Sequence, residues 1–219
     1  MDIANSFGYV FEDEDWGGKV LIGGLISLVP IANVATIGYA LRTMKHVAAG
    51  APRPLPAWEN LGDDVVKGLL VAAACAVYAL PLFLLLAMTT LISALGPGGR
   101  DLLSNIVGLC LTSLACLTGL YGLFLGFWLP AAAVRYAEAG EFAALFRFGE
   151  IWRFMERNLG GYVVALLVAW MAGLAALLIG SALCLIGLVF TGFVAMLVWA
   201  HLLGQVVREA PEGAPAPVF

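Results

Sequence analysis

Long uncharged stretches dominate the hydrophobic and polar pattern of this chain. Asp, Glu, Lys and Arg are absent from four of them, Val20 to Leu41, Gly68 to Gly99, Leu102 to Val134 and Asn158 to Val207. Because about 20 apolar residues in a helix cross the roughly 30 Å hydrocarbon core of a bilayer, each stretch is long enough to span a membrane. The pattern therefore predicts an all-α fold, a polytopic integral membrane helical bundle.

The lengths of these stretches predict about five membrane-spanning helices. Pro30 predicts a kink inside the first span, where a re-entrant hairpin is disfavoured because about 28 residues are too few for two crossings. The last stretch is long enough for two crossings, with a turn within Gly180 to Gly187. A single domain, residues 1–207, contains the predicted spans at about residues 17–44, 64–95, 102–135, 160–181 and 184–207, and a disordered tail follows at 208–219.

Composition agrees with a membrane location. Hydrophobic residues make up 62% of the 219 positions and charged residues only 12%, against about 25% charged in soluble proteins. The opening Met1 to Trp16 is polar, aromatic and acidic, which is unlike a cleavable signal peptide. The four cysteines lie inside the apolar stretches without a CxxC spacing, and they are interpreted as packing residues.

Lysine and arginine positions predict the orientation, since cytoplasmic loops carry an excess of both. Nine basic residues fall on one side of the five-span arrangement and only Lys19 and Arg100 fall on the other. The count predicts an external N-terminus and a cytoplasmic C-terminus in the cell's inner, cytoplasmic membrane. An even number of spans would break this agreement.

The two predicted cytoplasmic loops differ in character. Pro52, Pro54 and Pro56 favour an extended, stiff path for residues 50–58, which end at Trp58. Residues 141–158 form a predicted amphipathic helix, with Leu145, Phe148, Ile151, Trp152 and Met155 on one arc and Arg147, Glu150, Arg153 and Arg157 opposite. Such a helix would lie among lipid headgroups or pack against its own bundle, and both can hold at once.

An acidic run, Glu12 to Asp15, precedes Trp16. Its carboxylates could cap the first helix through the helix dipole while Trp16 anchors the interface, bind a basic partner, or hold a divalent cation. The run lacks the alternating spacing and the glycine turn of a calcium loop, so no metal site is assigned. His46 and His201 are interpreted as polar residues at helix ends, and no cofactor is expected.

Polar and small residues inside the spans are the remaining candidates. The Asn33 amide lies one turn after Pro30 and must find a partner there, either the carbonyl freed by the proline or a substrate path. Gly119, Gly122 and Gly126 share one face of the third span, which predicts close helix packing within the bundle or against another subunit. No span contains the ionisable residues of a proton relay, and no catalytic motif is present.

A short internal echo links two helix ends. Thr43 to Gly50 resembles Ala133 to Gly140, and each segment leads from a span to a loop that carries a tryptophan. Parallel repeats of this kind occur in transporters.

Five pieces of the first third carry a family resemblance. They are residues 11–16 (Phe-Glu-Asp-Glu-Asp-Trp), 19–24 (Lys-Val-Leu-Ile-Gly-Gly), 29–31 (Val-Pro-Ile), 38–42 (Gly-Tyr-Ala-Leu-Arg) and 55–62 (Leu-Pro-Ala-Trp-Glu-Asn-Leu-Gly). Their order and spacing resemble a prokaryotic membrane family labelled only as domain-of-unknown-function forty-thirteen. The resemblance implies a multi-pass protein with an acidic-aromatic N-terminus and a Pro-Trp loop, and it brings no activity, substrate or catalytic residue.

The sequence favours a non-catalytic membrane protein that acts through association. We expect an accessory or scaffold subunit of a membrane complex or a lipid-contacting module, with membrane lipids and other subunits or further copies of the chain as partners and no nucleic acid. The alternative is a small transporter or channel component with a site near Pro30 and Asn33. The candidate interaction residues are Trp16, Asn33, Trp58, Gly119, Gly122, Gly126, Arg147, Trp152, Arg153 and Arg157.

Overall fold

The computed structural model describes residues 2–95, 102–183 and 186–209, and its secondary structure there is entirely helical. The elements are α1 (Ile3–Glu12), α2 (Trp16–Leu28), α3 (Val34–Ala48), α4 (Leu61–Leu95), α5 (Leu102–Ala139), a 3₁₀ turn (Phe142–Phe146), α6 (Phe148–Arg157), α7 (Leu159–Ala182) and α8 (Ile186–Arg208). The predicted all-α class is confirmed.

Four of the described helices are long and apolar enough to cross a membrane: Leu61–Ala94, Leu103–Ala139, Leu159–Ala182 and Ile186–Arg208. The predicted turn between the last two spans is confirmed, since α7 ends at Ala182 and α8 begins at Ile186. Gly180 is needed there, because a Cβ on it would lie 2.6 Å from the Cα of Leu188. Residues 96–101, which include Arg100, residues 184–185, which include one of the four cysteines, and the predicted tail beyond Glu209 lie outside the described residues.

The prediction of a single span at residues 17–44 is wrong. The chain forms two helices there, and α2 gives way to an irregular segment after Leu28. Val29 has extended backbone angles, φ −95° and ψ 114°. This is the conformation that a following proline favours in the residue before it, and Pro30 itself has no N–H to continue the helix. The proline therefore ends a helix instead of bending one.

The two helices form a hairpin along α8. On α2, added Cβ atoms at Gly24 and Gly23 would lie 2.3 Å from the rings of Phe190 and Phe193 respectively, so α2 runs antiparallel to α8. On α3, Tyr39 contacts the ring of Phe193 and Met44 lies beside Gly204, so α3 runs parallel to α8. Neither arm of such a hairpin needs to cross the whole hydrocarbon core, since 13 residues of α2 rise only about 20 Å.

The α2–α3 hairpin brings the loop after α3 back beside the start of α2. Glu14, just before α2, forms an ion pair of 2.7 Å with Arg53 in the loop after α3. The Lys19 ammonium also reaches the Leu55 carbonyl, at 3.1 Å. A full membrane crossing between residues 17 and 44 would keep these groups apart, so the predicted placement of the N-terminus and this loop on opposite sides does not fit the structure.

Two glycines bring α3 and α4 into backbone contact. An added Cβ at Gly68 would lie 1.7 Å from the Val34 carbonyl oxygen, and one at Gly38 would lie 2.1 Å from the Asp64 carbonyl oxygen. Real Cβ atoms do not occur at such distances. The start of α4 therefore packs antiparallel against α3 at a spacing that only glycine permits.

The described chain divides into two compact units, Met1–Ala72 with Ala131–Phe219 (unit 1) and Ala73–Pro130 (unit 2). In unit 1 the core joins Tyr9 and Val10 of α1 to Val20, Tyr39, Leu55 and Leu197. In unit 2 the Tyr121 hydroxyl donates to the Tyr78 carbonyl at 2.8 Å, and the Trp128 indole N–H donates to the Tyr78 hydroxyl at 3.2 Å. These two bonds join α5 to α4 inside unit 2.

The internal echo corresponds to two similar helix ends. Gly50 follows α3 with φ 72°, and Gly140 follows α5 with φ 70°. Both values lie in the left-handed region, where glycine is the favoured residue after a helix. The likeness is local, and a true repeat stays a prediction.

Candidate functional site

The proline-rich loop after α3 is held by side chains from the α2–α3 hairpin. Prolines have no N–H to donate, and an extended path leaves the loop carbonyls without backbone partners. Four consecutive carbonyls meet side-chain donors instead: Pro54 with His46 Nδ1 at 3.0 Å, Leu55 with Lys19 at 3.1 Å, Pro56 with Tyr39 at 2.8 Å and Ala57 with Arg42 at 3.1 Å. We call this set the loop clamp.

Trp58 also holds the loop against the α2–α3 hairpin. Its indole N–H donates to the Lys19 carbonyl at 3.0 Å. Its ring stacks on Tyr39 with centroids 4.2 Å apart, and it lies 6.1 Å from the Phe193 ring. The structure therefore places this candidate residue in the inner packing of unit 1, half-buried, and not on an exposed loop surface.

A buried ion pair lies beside the loop clamp. Arg42 Nε donates to Asp64 at 2.7 Å, and Nη2 contacts the second carboxylate oxygen. Asp64 is fully buried and Arg42 nearly so. Sequence reasoning missed this pair, because the partners lie 22 positions apart on either side of a loop and each looked like a flanking charge.

The acidic run forms ion pairs with basic residues of the same chain. Asp13 pairs with Lys19 at 2.7 Å and accepts the backbone N–H of Asp15, while Glu14 pairs with Arg53. Asp15 stands at the start of α2 but makes no capping bond with its side chain. Trp16 is 39% exposed and meets Phe11 edge-on at 5.0 Å. Two of the four acids therefore form ion pairs within the chain, and the interaction of the run with the helix dipole stays a prediction. No metal-binding group is found among the described residues.

Asn33 lies at the tip of the α2–α3 hairpin. Its carbonyl and amide oxygens both accept from the Thr36 hydroxyl, at 2.7 Å and 3.2 Å. Together with Ser27 these residues line one side of a cavity of about 300 Å³, whose other side is formed by α8. The structure therefore pairs the Asn33 amide oxygen with a nearby hydroxyl and not with the predicted carbonyl, and the polar groups of the break gather around one space.

The glycine face of α5 is open. Added Cβ atoms at Gly119 and Gly122 would meet nothing within 4 Å among the described residues, and Gly126 is half-buried. Within unit 2, the first two positions therefore have no close packing partner among the described residues. These two glycines can pack closely only against another surface.

Of the amphipathic helix predicted over residues 141–158, only Phe148–Arg157 is α-helical, since a 3₁₀ turn occupies 142–146, and the apolar arc is divided. Ile151 and Phe154 of α6 are buried, as is Leu145 in the preceding turn, whereas Phe148 and Trp152 are more than half exposed. Some residues of this segment therefore pack against the bundle, and others form an exposed aromatic surface.

The arginines of this segment are mostly engaged locally. Arg147 pairs with Glu141 and approaches Glu150, and Glu150 bonds to Arg135 at 2.7 Å. Arg153 donates to the Gly149 carbonyl, and Arg157 is exposed at the end of α6. The Arg135 hydrogen bond lowers the pKa of the Glu150 carboxyl.

Comparison with known proteins identifies the family and leaves the activity open. No curated protein and no solved structure matches the chain. The family model described as "Protein of unknown function (DUF4013)" matches residues 22–185, which include the hairpin tip, the loop after α3, and α4 to α7. The chain therefore belongs to the DUF4013 family.

Proposed function

We propose that this protein is a non-catalytic, multi-pass membrane protein that acts through association, as an accessory or scaffold subunit of a membrane complex. The observation that carries the proposal is the exposure of α5. No residue of its most apolar 18-residue stretch is buried, and only 17% of the corresponding stretch of α4 is buried. Large exposed apolar surfaces mark contacts with lipid or with other proteins.

The glycine face distinguishes association from lipid contact alone. Small residues let helix backbones approach closely, which is the usual way in which transmembrane helices associate. Gly119 and Gly122 leave such a space unfilled. A second transmembrane helix, from another subunit or another copy of this chain, fits this surface better than flexible acyl chains do.

Orientation is part of the proposal. With four spans and a re-entrant α2–α3 hairpin, both termini and both basic loops lie on one side. Of the 11 lysines and arginines, Arg100 lies within the 73–130 unit and the remaining ten do not. Since basic residues favour the cytoplasmic side, we assign that side to both termini and place the protein in the cytoplasmic membrane.

Gentle extraction followed by native mass spectrometry tests the subunit role. We expect a stoichiometric protein partner or a homo-oligomer with the unaltered chain. Gly119→Leu with Gly122→Leu should abolish it, because the added side chains occupy the space that a neighbouring helix needs. Ser113→Leu is the matched control, since it is exposed on the same helix about half a turn out of phase with Gly122. A monomer carrying lipid alone would contradict the subunit role.

A small transporter or channel component is the second candidate, and the hairpin tip favours it. Broken helices whose ends meet polar groups are used in substrate sites near the bilayer midplane. Ser27, Asn33 and Thr36 supply such groups beside a cavity of about 300 Å³. Proteoliposome swelling with small polar solutes tests this function. Flux that Asn33→Leu abolishes and Gly119→Leu leaves unchanged would favour the transporter, and no flux would exclude it for those solutes.

A further inference from the structure

A polar cavity lies between α1, the loop after α3 and the end of α8. Its volume is about 100 Å³, room for roughly seven waters or one small molecule. α1 contributes Asn5, Tyr9 and Glu12, the loop contributes Arg53, and α8 contributes His201 and Arg208. All three elements belong to unit 1.

Opposite charges stand on different walls of this cavity. Glu12 and Asp13 lie on the α1 side, whereas Arg53 and Arg208 lie on the loop and α8 sides. Asp13 and Arg53 already have partners, Lys19 and Glu14. Glu12 and Arg208 form no ion pair among the described residues. One free carboxylate and one free guanidinium therefore border the same small space.

A buried histidine adds a polar ring nitrogen on the Arg208 side. His201 is 5% exposed and stacks on Tyr9. The Gln205 amide oxygen accepts the Asp2 backbone N–H at 2.7 Å, which identifies Nε2 of Gln205 as the amide nitrogen. That nitrogen can only donate, and it lies 3.0 Å from His201 Nδ1.

The Ser6 hydroxyl lies 2.9 Å from the same Nδ1 atom and can either donate to it or accept from it, so Nδ1 has a partner in both forms of the neutral ring. His201 Nε2 has no hydrogen-bond partner among the described residues. Nε2 is not among the fully buried polar atoms that lack a partner, so a ligand in the cavity that the ring lines can reach it.

We propose that this cavity binds a small zwitterion that joins an ammonium to a phosphate, namely a phosphoethanolamine group. The ammonium pairs with Glu12. The phosphate takes charge-assisted hydrogen bonds from Arg208, with Arg53 and the His201 ring nearby. The ligand is either free phosphoethanolamine or the headgroup of a membrane lipid. The cavity shares no residue with the glycine face of α5, so this site and the subunit role stand or fall separately.

Calorimetric titration of the purified full chain in detergent tests the site. The probes are phosphoethanolamine, ethanolamine alone and inorganic phosphate alone. We expect phosphoethanolamine to bind at least about tenfold more tightly than either fragment. Glu12→Gln and Arg208→Gln should each weaken it by about tenfold or more, the loss of one charge-assisted hydrogen bond.

The controls are Glu59→Gln and Arg157→Gln, two exposed charge removals outside the cavity that should leave binding unchanged. A thermal melt of each variant verifies folding, which exposed substitutions should preserve. Phosphoethanolamine binding that neither Glu12→Gln nor Arg208→Gln weakens would overturn the proposal.

A second arm identifies the source of the ligand. The chain is placed in nanodiscs of equimolar phosphatidylethanolamine and phosphatidylcholine, and retained lipid is measured by native mass spectrometry. Choline has no N–H to donate to Glu12, so a lipid ligand predicts retention of phosphatidylethanolamine that Arg208→Gln abolishes. Titration with free phosphoethanolamine but no lipid preference would identify the soluble compound. Equal retention of both lipids together with no titration would contradict the site.

Discussion

Tyr39 and Arg42 are polar residues buried in α3, and each has a specific partner outside its own helix. The Tyr39 hydroxyl donates to the Pro56 carbonyl, and the Arg42 guanidinium is shared between Asp64 and the Ala57 carbonyl. Burial of an unpaired polar group costs free energy, so these bonds tie the loop position to the helix positions. Individual side chains thereby fix where the proline-rich loop lies.

The Arg42–Asp64 pair gives the first residue-scale prediction. Asp64→Asn removes the negative charge and leaves the nearly buried Arg42 without its ion pair. We expect the free energy of unfolding to fall by about 3 kcal/mol, as for other broken buried pairs.

Asp63→Asn is the matched control, because its carboxylate is exposed and pairs only with Lys67 at the surface. It should change stability by less than about 0.5 kcal/mol. Denaturant titration of both variants in detergent compares them. Equal stability of the two variants would show that the buried pair contributes nothing specific.

Glu150 gives a prediction about pH. The Arg135 hydrogen bond lowers the pKa of Glu150 in the folded chain. A carboxyl with a lowered pKa stabilises the fold above its unfolded pKa, and this contribution disappears as pH falls through the folded pKa. The unaltered chain should therefore be more stable than Glu150→Gln by up to about 1 kcal/mol at neutral pH.

Thermal melts of the two proteins from about pH 7 to about pH 3 measure this difference, which should vanish at the acidic end. Glu156→Gln on the same helix is the control, since Glu156 contacts Trp152 and not Arg135. A difference between Glu150→Gln and the unaltered chain that does not change with pH would contradict the assignment.

At the scale of elements, the α2–α3 hairpin is where sequence reasoning failed. The uncharged stretch and Pro30 were recognised, but a reversal was rejected on the premise that each arm must cross the hydrocarbon core. α8 removes that requirement, because it packs against both arms and covers Gly23 and Gly24. This contact joins positions about 170 residues apart, and no local pattern reports it.

Five of the other helices were predictable for a physical reason, whereas α1 was not predicted from the polar, aromatic and acidic opening of the chain. Uncharged length alone identifies a span, so α4, α5, α7 and α8 and the turn between the last two followed from the sequence. Amphipathic periodicity also predicted α6. It could not predict that Ile151 and Phe154 are buried while Phe148 and Trp152 are exposed, because this depends on which neighbouring helix α6 packs against.

Close packing of α3 against α4 gives the element-scale prediction. Gly68→Ala would place a methyl group 1.7 Å from the Val34 carbonyl oxygen, so the helices must separate. We expect a loss of about 3 kcal/mol of stability, measured by denaturant titration. Gly62→Ala on the same helix meets nothing within 4 Å and should be neutral or stabilising by up to about 1 kcal/mol. Equal effects of the two substitutions would refute the backbone contact.

For the whole molecule, the hairpin changes how the charges are interpreted. A five-span arrangement leaves Lys19 and Arg100 on the minority side. The contacts of Lys19 with Asp13 and Leu55 move it to the end that carries Arg53, and only Arg100 remains apart in the proposed four-span arrangement. An even number of spans therefore agrees with the positive-inside rule better than the odd number predicted from sequence.

Cysteine labelling in sealed, oriented vesicles tests this arrangement most directly. The background is a chain whose four cysteines are replaced by alanine, with single cysteines at Glu14, Arg53, Glu156 or Arg100 and a membrane-impermeant maleimide. Loss of the exposed Glu14–Arg53 pair should cost little. The account predicts that positions 14, 53 and 156 are labelled from one side and position 100 from the other. Labelling of positions 14 and 53 from opposite sides would contradict it.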